Sequence, residues 1–250
     1  MTGILLPRVL LLWDVDDTLI AGGGVNEEIY TLAYELLTGR PLEERFPIAG
    51  FTERGLLDRM MTVNGLDPAA YPWPDQHAAL VEACVRHQDA LRRRGHVLPG
   101  VPAALSAAAD RPDLVSSLRT GNCVENARTK LAAFDLDRSV DLEVGGYGSD
   151  AVVRGELVAI AQAAAAEKYG FDPERDVTVL VGDTPLDVEA GLTGGARVVG
   201  VGTGRFTPPE LRSAGADAAL PDLADLDGFL DTLDRLRESG PVGPRPVPGP

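Results

Sequence analysis

Short apolar runs that stop abruptly at acidic or turn residues recur along the chain. Val9–Trp13 ends at Asp14, and the run 177–181 ends at Gly182 and Asp183. Runs of this length, bounded by turn residues, are typical of strands that are buried on both faces of a parallel sheet. The predicted strands of this kind cover 9–13, 177–181 and 198–201. A further strand is predicted over 115–120, which is more polar than a central parallel strand should be.

Helical periodicity separates these strands. Residues 102–109 and 155–169 have apolar positions at helical spacing, and a further strand is predicted around 142–147. Strands that alternate with helices in this way favour an α/β fold, because each helix can cross back over the sheet to start a parallel strand. We therefore predict a doubly wound parallel-sheet core of the Rossmann-like kind.

An all-helical segment interrupts this pattern between the glycines at 22–24 and those at 95–100. Three helices are predicted, starting at Asn26, after Thr52 and at Asp75, and stops such as Gly39 and Gly95 end them. The segment is predicted to form an inserted helical cap domain over 23–95, between core segments 1–22 and 96–238. Residues 239–250 are rich in Pro and Gly and are predicted to be a disordered tail.

Acidic side chains follow two of the predicted strands. Asp14 and Asp16 come directly after the first, and Asp183 and Asp187 stand one helical turn apart after another. Ligands bind at the carboxyl ends of strands in α/β sheets. Two close carboxylates require either a divalent cation or a raised pKa on one of them. Helix capping or a solvated loop could also explain each pair alone.

A hydroxyl–glycine turn, Thr120-Gly121-Asn122, follows the strand that lies between these two in sequence. Its hydroxyl oxygen and backbone N–H groups could hold the oxygens of a phosphate. An ordinary turn has the same composition. The position of the segment between the two acidic motifs favours the phosphate-binding interpretation.

In this order, the three segments resemble the motifs of the haloacid dehalogenase superfamily of phosphatases, in particular the phosphoglycolate-phosphatase-like branch with a helical cap. That family also has a basic residue, usually Lys, that steadies the nucleophile and the phosphate. The spacing after Gly148-Ser149-Asp150 places it at Arg154. Lys130 competes for this role, but we expect Lys130 to be an exposed, solubilising residue of its helix.

The resemblance implies a role for each matching residue. Asp14 would be the nucleophile, and Asp16 would be the general acid and base. Mg²⁺ would be held by Asp14, the Asp16 backbone carbonyl, Asp183 and Asp187. The phosphoryl oxygens would be bound by Thr120, Gly121, Asn122 and Arg154.

The implied activity is magnesium-dependent hydrolysis of a small phosphomonoester through an aspartyl-phosphate, with phosphoglycolate or a similar phosphorylated metabolite as a candidate substrate. The cap would exclude water and select the substrate, with Thr52, Arg54 and Arg59 as candidate contacts. A sugar-phosphate mutase of the β-phosphoglucomutase type is the main alternative, since only the acceptor differs. A non-catalytic phospho-ligand binding protein is the other.

The composition narrows the range of partners. The net charge of −15 disfavours nucleic-acid binding, which requires a basic face. Pro7 and Arg8 interrupt the apolar run 4–13, so neither export nor membrane insertion is expected. Cys84 and Cys123 are too far apart in sequence to suggest a metal site or a disulfide framework. We expect a cytoplasmic protein, and the sequence carries no signal for its oligomeric state.

Overall fold

The computed structural model describes residues 8–48 and 50–248. The first seven residues of the predicted core, Ala49 of the predicted cap and residues 249–250 of the predicted tail lie outside the described residues.

A six-stranded parallel sheet forms the centre of the core, which confirms the predicted fold class. Its strands are β1 (Val9–Trp13), β4 (Leu114–Thr120), β5 (Gly146–Tyr147), β6 (Val177–Gly182), β7 (Arg197–Val201) and β8 (Ala218–Leu220). Their spatial order is β5-β4-β1-β6-β7-β8. The predicted strand around 142–147 is shorter than expected, because residues 142–144 form a 3₁₀ turn.

Helices cover both faces of this sheet. Alternate residues of β1 enter different apolar clusters, since side chains along a strand point to opposite faces. Leu11 and Trp13 pack in one cluster, and Leu10 and Leu12 pack in the other. This double burial explains why β1 is apolar throughout. The core helices are α4 (Val101–Ala109), α5 (Val124–Ala132), α6 (Arg154–Tyr169), α7 (Pro185–Gly194), α8 (Pro208–Ser213) and α9 (Leu226–Glu238).

The helical insertion lies between two short antiparallel strands, β2 (Ile20–Ala21) and β3 (His96–Val97). It contains α1 (Val25–Thr38), α2 (Glu53–Val63) and α3 (Trp73–Arg94), which share an apolar cluster of their own. Because β2 and β3 pair at the base of the insertion, we propose that the cap comprises 23–95 and the core 1–22 and 96–238.

The C-terminal segment after α9 has no helix or strand as far as residue 248. Arg245 nevertheless attaches it to the core, because its guanidinium donates two hydrogen bonds of 2.8 Å to Asp217 and its backbone N–H donates one to Leu192. These contacts differ from the prediction of a disordered tail, because a disordered segment would not be held against the core. Among the helices of the described chain, none is long and apolar enough to span a membrane.

Candidate active site

Parallel strand register brings the predicted site residues to one edge of the sheet. Trp13, the last residue of β1, is paired with Leu118 of β4 on one side and with Val181 of β6 on the other. The residues that follow these three strands therefore lie side by side. A cavity of about 300 Å³, here called the central cavity, is located at this edge. Its lining includes Asp14, Asp16, Thr120, Gly121, Asn122, Arg154, Asp183 and Asp187.

Asp14 lines the central cavity and is only 7% exposed. Burial, together with repulsion from Asp187, raises the pKa of Asp14 to about 7, although Arg154 and Arg119 oppose the shift. The Arg154 Nη2 atom lies 3.7 Å from Asp14 Oδ1. Asp14 is therefore a buried carboxyl group that faces both an excess of negative charge and one guanidinium.

Asp16 has a different environment. Its carboxylate accepts hydrogen bonds from Lys130 at 2.8 and 3.0 Å, from Asn122 Nδ2 at 2.8 Å and from Asn26 Nδ2 at 2.9 Å. Burial alone would raise the pKa of Asp16, but the Lys130 ammonium and these hydrogen bonds outweigh it and lower the pKa. The two acids of the first motif are thus held in different electrostatic states.

The expected exposed position of Lys130 is wrong, since its side chain has no exposed surface. Besides Asp16, its ammonium donates to Asn122 Oδ1 at 2.7 Å. Burial alone would lower the pKa of Lys130, but the Asp16 carboxylate reverses this and raises it. The signal was present in the sequence, because Lys130 stands between Ala127 and Leu131 on the buried stripe of α5.

Asp187 is saturated with hydrogen-bond donors. One oxygen accepts from Arg119 at 2.6 Å and also contacts Arg154, while the other accepts from the Thr184 backbone N–H at 3.0 Å and its hydroxyl at 2.7 Å. The two guanidinium groups outweigh burial and lower the pKa of Asp187. A carboxylate offers about four acceptor positions. Asp187 therefore primarily fixes the arginines and the start of α7, and it is less available than Asp14 or Asp183 to ligate a cation directly.

Little in the surroundings of Asp183 stabilises a negative charge on its carboxyl group. Burial and the nearby carboxylates of Asp187 and Asp14 raise its pKa well above the ordinary value. Thr18 Oγ1 donates one hydrogen bond to it at 3.2 Å. Gly204 packs against this carboxylate so closely that an added Cβ would lie 1.9 Å from Asp183 Oδ2. Position 204 therefore requires glycine, because the Asp183 carboxylate approaches it so closely.

The donor set fits a hard divalent cation. Carboxylate oxygens of Asp14, Asp183 and Asp187 lie within 4.8 Å of one another. Mg²⁺ prefers such oxygen ligands and is usually bound by one or two carboxylates. The raised pKa values of Asp14 and Asp183 have the same cause, buried negative charge that a cation would neutralise. Asp14 and Asp183 are the residues best able to hold it.

Thr120, Gly121 and Asn122 form a tight turn beside these acids. The Thr120 hydroxyl accepts from the Asn122 backbone N–H at 3.3 Å and from its Nδ2 at 2.9 Å. A Cβ on Gly121 would lie 2.1 Å from the Phe51 carbonyl oxygen and 2.8 Å from Arg154 Nη1. Position 121 therefore requires glycine because the cap backbone and Arg154 approach it so closely.

The cap is joined to this turn by Glu53, the first residue of α2. Its backbone N–H donates to the Gly121 carbonyl at 2.7 Å, and its carboxylate accepts from the Cys123 backbone N–H at 2.8 Å and from Asn126 Nδ2 at 2.9 Å. Burial raises the pKa of Glu53 even though Lys130 and these donors oppose the shift. A cap residue thus satisfies one backbone donor and one side-chain donor at the start of α5.

Two residues that sequence reasoning missed complete the site. Arg119 is fully buried at the end of β4 and binds Asp187, while its Nε and Nη1 atoms have no hydrogen-bond partner in the described residues. A charged residue inside a central strand was the available signal. Asn26 reaches Asp16 from the cap helix α1, and no pattern in the sequence predicted that contact.

The three cap residues that were expected to contact the substrate lie outside the central cavity. The Thr52 hydroxyl accepts from the Gly55 backbone N–H and caps α2. Arg54 stacks over the Trp73 ring at 5.4 Å, and Arg59 stacks over the Phe46 ring at 5.1 Å. None of Thr52, Arg54 and Arg59 is among the described residues that line the central cavity.

A second group of potential metal ligands lies where the cap meets the core. Ligand atoms of His77, Cys123 and Glu125 lie within 4.8 Å of one another. His77 Nε2 is 3.0 Å from Glu125 Oε2. Because burial strongly raises the pKa of the Cys123 thiol, a thiolate is disfavoured there. The contact between His77 and Glu125 accounts for this arrangement without an ion.

The family follows from a direct match. The model of haloacid dehalogenase-like hydrolases matches residues 11–191, a span that includes the cap and every residue of the central cavity named above. The chain therefore belongs to the haloacid dehalogenase-like hydrolase family. This confirms the predicted family and the prediction that the protein is a hydrolase of this type. A search among curated proteins gave no match.

Solved structures support the same fold. A hydrolase from Pseudomonas syringae is 20% identical, with a TM-score of 0.58, and the match covers 90% of this chain and 99% of that one. A predicted phosphatase from Clostridium acetobutylicum is 17% identical, with a TM-score of 0.60 and coverage of 93% and 100%. CbbY from Rhodobacter sphaeroides, in complex with phosphate, is 16% identical, with a TM-score of 0.61 and coverage of 88% and 96%. At these identities the likeness concerns the fold.

Proposed function

We propose that this hydrolase is a magnesium-dependent phosphatase that cleaves a small phosphomonoester through an aspartyl-phosphate on Asp14. The observation that carries the proposal is the placement of Asp14, Asp16 and Arg154 on one small cavity, with Asp14 and Asp16 in opposite electrostatic states. Phosphoryl transfer depends chiefly on positioning and on charge stabilisation, and these three side chains can supply both.

In the first step, an Asp14 carboxylate oxygen attacks phosphorus while the bond from phosphorus to the ester oxygen breaks. Asp16 donates a proton to the departing oxygen, which leaves as an alcohol, and Asp14 becomes an acyl phosphate. Asp16 must be protonated for this transfer. A phosphate dianion brought next to it raises its pKa, because like charges disfavour the ionised form. Asn26, Asn122 and Lys130 keep the carboxyl group in place.

In the second step, Asp16, which gave up its proton in the first step, acts as the general base. It takes a proton from a water molecule, whose oxygen attacks phosphorus and releases inorganic phosphate and the Asp14 carboxylate. Arg154, Thr120 and the backbone of the 120–122 turn take up charge on the phosphoryl oxygens in both steps. The cluster of Asp14, Asp183 and Asp187 supports a requirement for a cation, since a phosphate dianion would otherwise approach three carboxylates.

The cation would be held by Asp14, the Asp16 backbone carbonyl and Asp183, with Asp187 behind them binding Arg119 and Arg154. When bound, Mg²⁺ supplies positive charge that neutralises the acids and the developing charge on the phosphoryl group. It would also lower the pKa of Asp14, which keeps the nucleophile ionised at neutral pH.

The partner in this proposal is a small phosphorylated metabolite, for which phosphoglycolate is a first trial compound. We place the protein in the cytoplasm, because Cys84 and Cys123 are both unpaired and buried, as is usual in reducing compartments.

The deciding experiment measures phosphate released from a panel of small phosphomonoesters, with Mg²⁺ or with EDTA. Transfer to a sugar hydroxyl without phosphate release would indicate the mutase, and binding without turnover would indicate the non-catalytic protein.

Asp183→Asn is expected to weaken Mg²⁺ binding, because it removes one ligand charge from the site. Loss of groups that only support a metal ligand costs about 10–100-fold in affinity or activity, so the loss of a ligand should raise the Mg²⁺ concentration for half-maximal rate at least about tenfold. The measurement is a Mg²⁺ titration of activity, with the Mg²⁺-induced shift in melting temperature as a second readout. Undiminished wild-type activity in EDTA would contradict the metal assignment.

Arg154→Ala is expected to lower kcat by about 100-fold or more, as removal of one donor to a developing oxyanion does elsewhere. Arg154→Lys keeps the positive charge and introduces the residue that the family usually has at this position. It should therefore recover most of the rate. Arg175→Ala is the control, since Arg175 is 74% exposed, pairs with Asp172 at 2.7 Å and does not line the central cavity. An equal loss of kcat in Arg154→Ala and Arg175→Ala would remove Arg154 from the reaction.

A further inference from the structure

A second cavity of about 400 Å³ adjoins the central cavity on the cap side. The two share Glu27, Tyr30, Pro47, Ile48 and Arg205 in their linings, so they are neighbouring parts of one space. A cavity of roughly 150 Å³ is sufficient to bind a benzene ring. The second cavity can therefore receive a ring-sized group attached to a phosphate in the central cavity.

The residue that would protonate the leaving oxygen is connected through α1 to the wall of the second cavity. Asp16 is the residue that would protonate the leaving oxygen, and Asn26 of α1 donates a hydrogen bond to it at 2.9 Å. Residues three and four positions apart share one face of a helix. One such step along α1 leads from Asn26 and Glu27 to Tyr30 and Thr31, which line the second cavity. A leaving oxygen protonated by Asp16 would therefore lie beside this face of α1, which continues into the second cavity.

Apolar side chains form most of the wall of the second cavity. Tyr30 and Met60 are buried in the cap cluster, and Leu42 and Phe46 pack against it. Phe46 is braced by an edge-to-face contact with Phe51, with ring centroids 6.0 Å apart. Side chains fixed in this way form a preformed apolar surface, which is the usual character of a small-molecule site.

The charged residues of the second cavity balance one another. Glu27 and Glu44 line it together with Arg45 and Arg205, so their formal charges cancel. Arg54 and Arg59 stack on aromatic rings of the cap, and neither lines the cavity among the described residues. A second anionic group on the substrate would find no net positive charge there. An uncharged apolar group would gain from leaving water.

From these observations we infer that the second cavity is the leaving-group subsite, and that the preferred substrates are phosphomonoesters of alcohols with an uncharged, apolar, ring-sized body. This inference rests on the proposed phosphatase function and names its substrate class. The inferred preference differs from that of a phosphatase specific for phosphoglycolate, because the leaving group of phosphoglycolate carries a negative charge in addition to that of the phosphate.

The test compares kcat/KM of the full-length protein for 2-phenylethyl phosphate, 2-hydroxyethyl phosphate and phosphoglycolate, with Mg²⁺ present. The first two substrates each release a primary alcohol, and only the alcohol from 2-phenylethyl phosphate has an apolar ring. Differences of this kind in an apolar pocket are worth about 10–200-fold, so 2-phenylethyl phosphate should be favoured at least about tenfold over both others. A preference for 2-hydroxyethyl phosphate or phosphoglycolate would overturn the inference while leaving the phosphatase in place. No phosphate release from any of the three, nor from a wider panel, would overturn the phosphatase itself.

Thr31→Phe fills the second cavity without touching the reacting groups. It should lower kcat/KM for 2-phenylethyl phosphate about tenfold and leave 2-hydroxyethyl phosphate nearly unchanged. Thr38→Phe is the matched control, because Thr38 lies on the same helix, its hydroxyl donates to the carbonyl four residues earlier as that of Thr31 does, and it does not line the cavity. Equal effects of Thr31→Phe and Thr38→Phe, or equal losses for both substrates, would contradict the assigned subsite.

Discussion

Asp14→Asn is expected to abolish phosphate release while the protein stays folded. An amide cannot attack phosphorus, and loss of a catalytic nucleophile can cost about 10⁶-fold in kcat; we expect at least about 10⁴-fold here. Stability should be unchanged or increased, because the Asp14 charge is buried near Asp183 and Asp187 and an uncharged side chain removes that repulsion. The measurements are steady-state phosphate release and the free energy of unfolding.

Asp17→Asn provides the matched control for Asp14→Asn. Asp17 lies three residues further along and lines the same cavity, so it shares the negative field of the site but has no role in the proposed reaction. Its φ of 59° is a conformation that Asn tolerates well. We expect Asp17→Asn to stay within about tenfold of the wild-type rate. Near-wild-type turnover in Asp14→Asn, measured with purified and metal-checked protein, would end the nucleophile assignment.

The sheet and the helical insertion were predictable because each depends on a periodic pattern. The alternation of strands and helices fixed the α/β class, and the apolar run at β1 marked its central strand. Residues that follow neighbouring parallel strands must meet at one edge, so the juxtaposition of Asp14, Thr120 and Asp183 could also be expected. These inferences need only local sequence and the rules of parallel sheets.

The side-chain partners inside the site could not be read in the same way. Arg119 and Lys130 are buried because Asp187 and Asp16 compensate their charges, and each of these partners lies far away in sequence. A general expectation that lysine is exposed fails where a long-range ion pair pays the cost of desolvation. Similarly, helix periodicity predicted α1 and α2 but not the contacts of Asn26 and Glu53 with the core.

Lys130→Met is expected to destabilise the protein severely. It leaves Asp16 without its main positive partner, and removing one member of a buried ion pair costs about 3–5 kcal/mol, a large part of the usual stability of a domain. Lys168→Met is the control at the only other lysine. Lys168 is 38% exposed and pairs with Asp141 and Glu143 at the surface, so its loss should cost at most about 1 kcal/mol. Urea unfolding gives both values.

A double variant distinguishes an unpaired charge from lost packing. If the Asp16 carboxylate is the cause, Asp16→Asn should restore much of the stability lost in Lys130→Met, although neither protein will turn over substrate.

The stability lost in Lys130→Met should also depend on pH in a defined direction. The pKa of Asp16 is lowered in the folded protein, so its stabilising contribution is present above about pH 4, the unfolded value, and is lost as the pH falls through the folded value. The pKa of Lys130 is raised, so its contribution is complete below about pH 10. The difference in unfolding free energy between wild type and Lys130→Met should therefore be largest from about pH 5 to 9 and shrink in acid, where Asp16 becomes neutral in both proteins. A deficit that stays constant to pH 3, with no recovery in the double variant, would show that Lys130 stabilises the fold through packing alone.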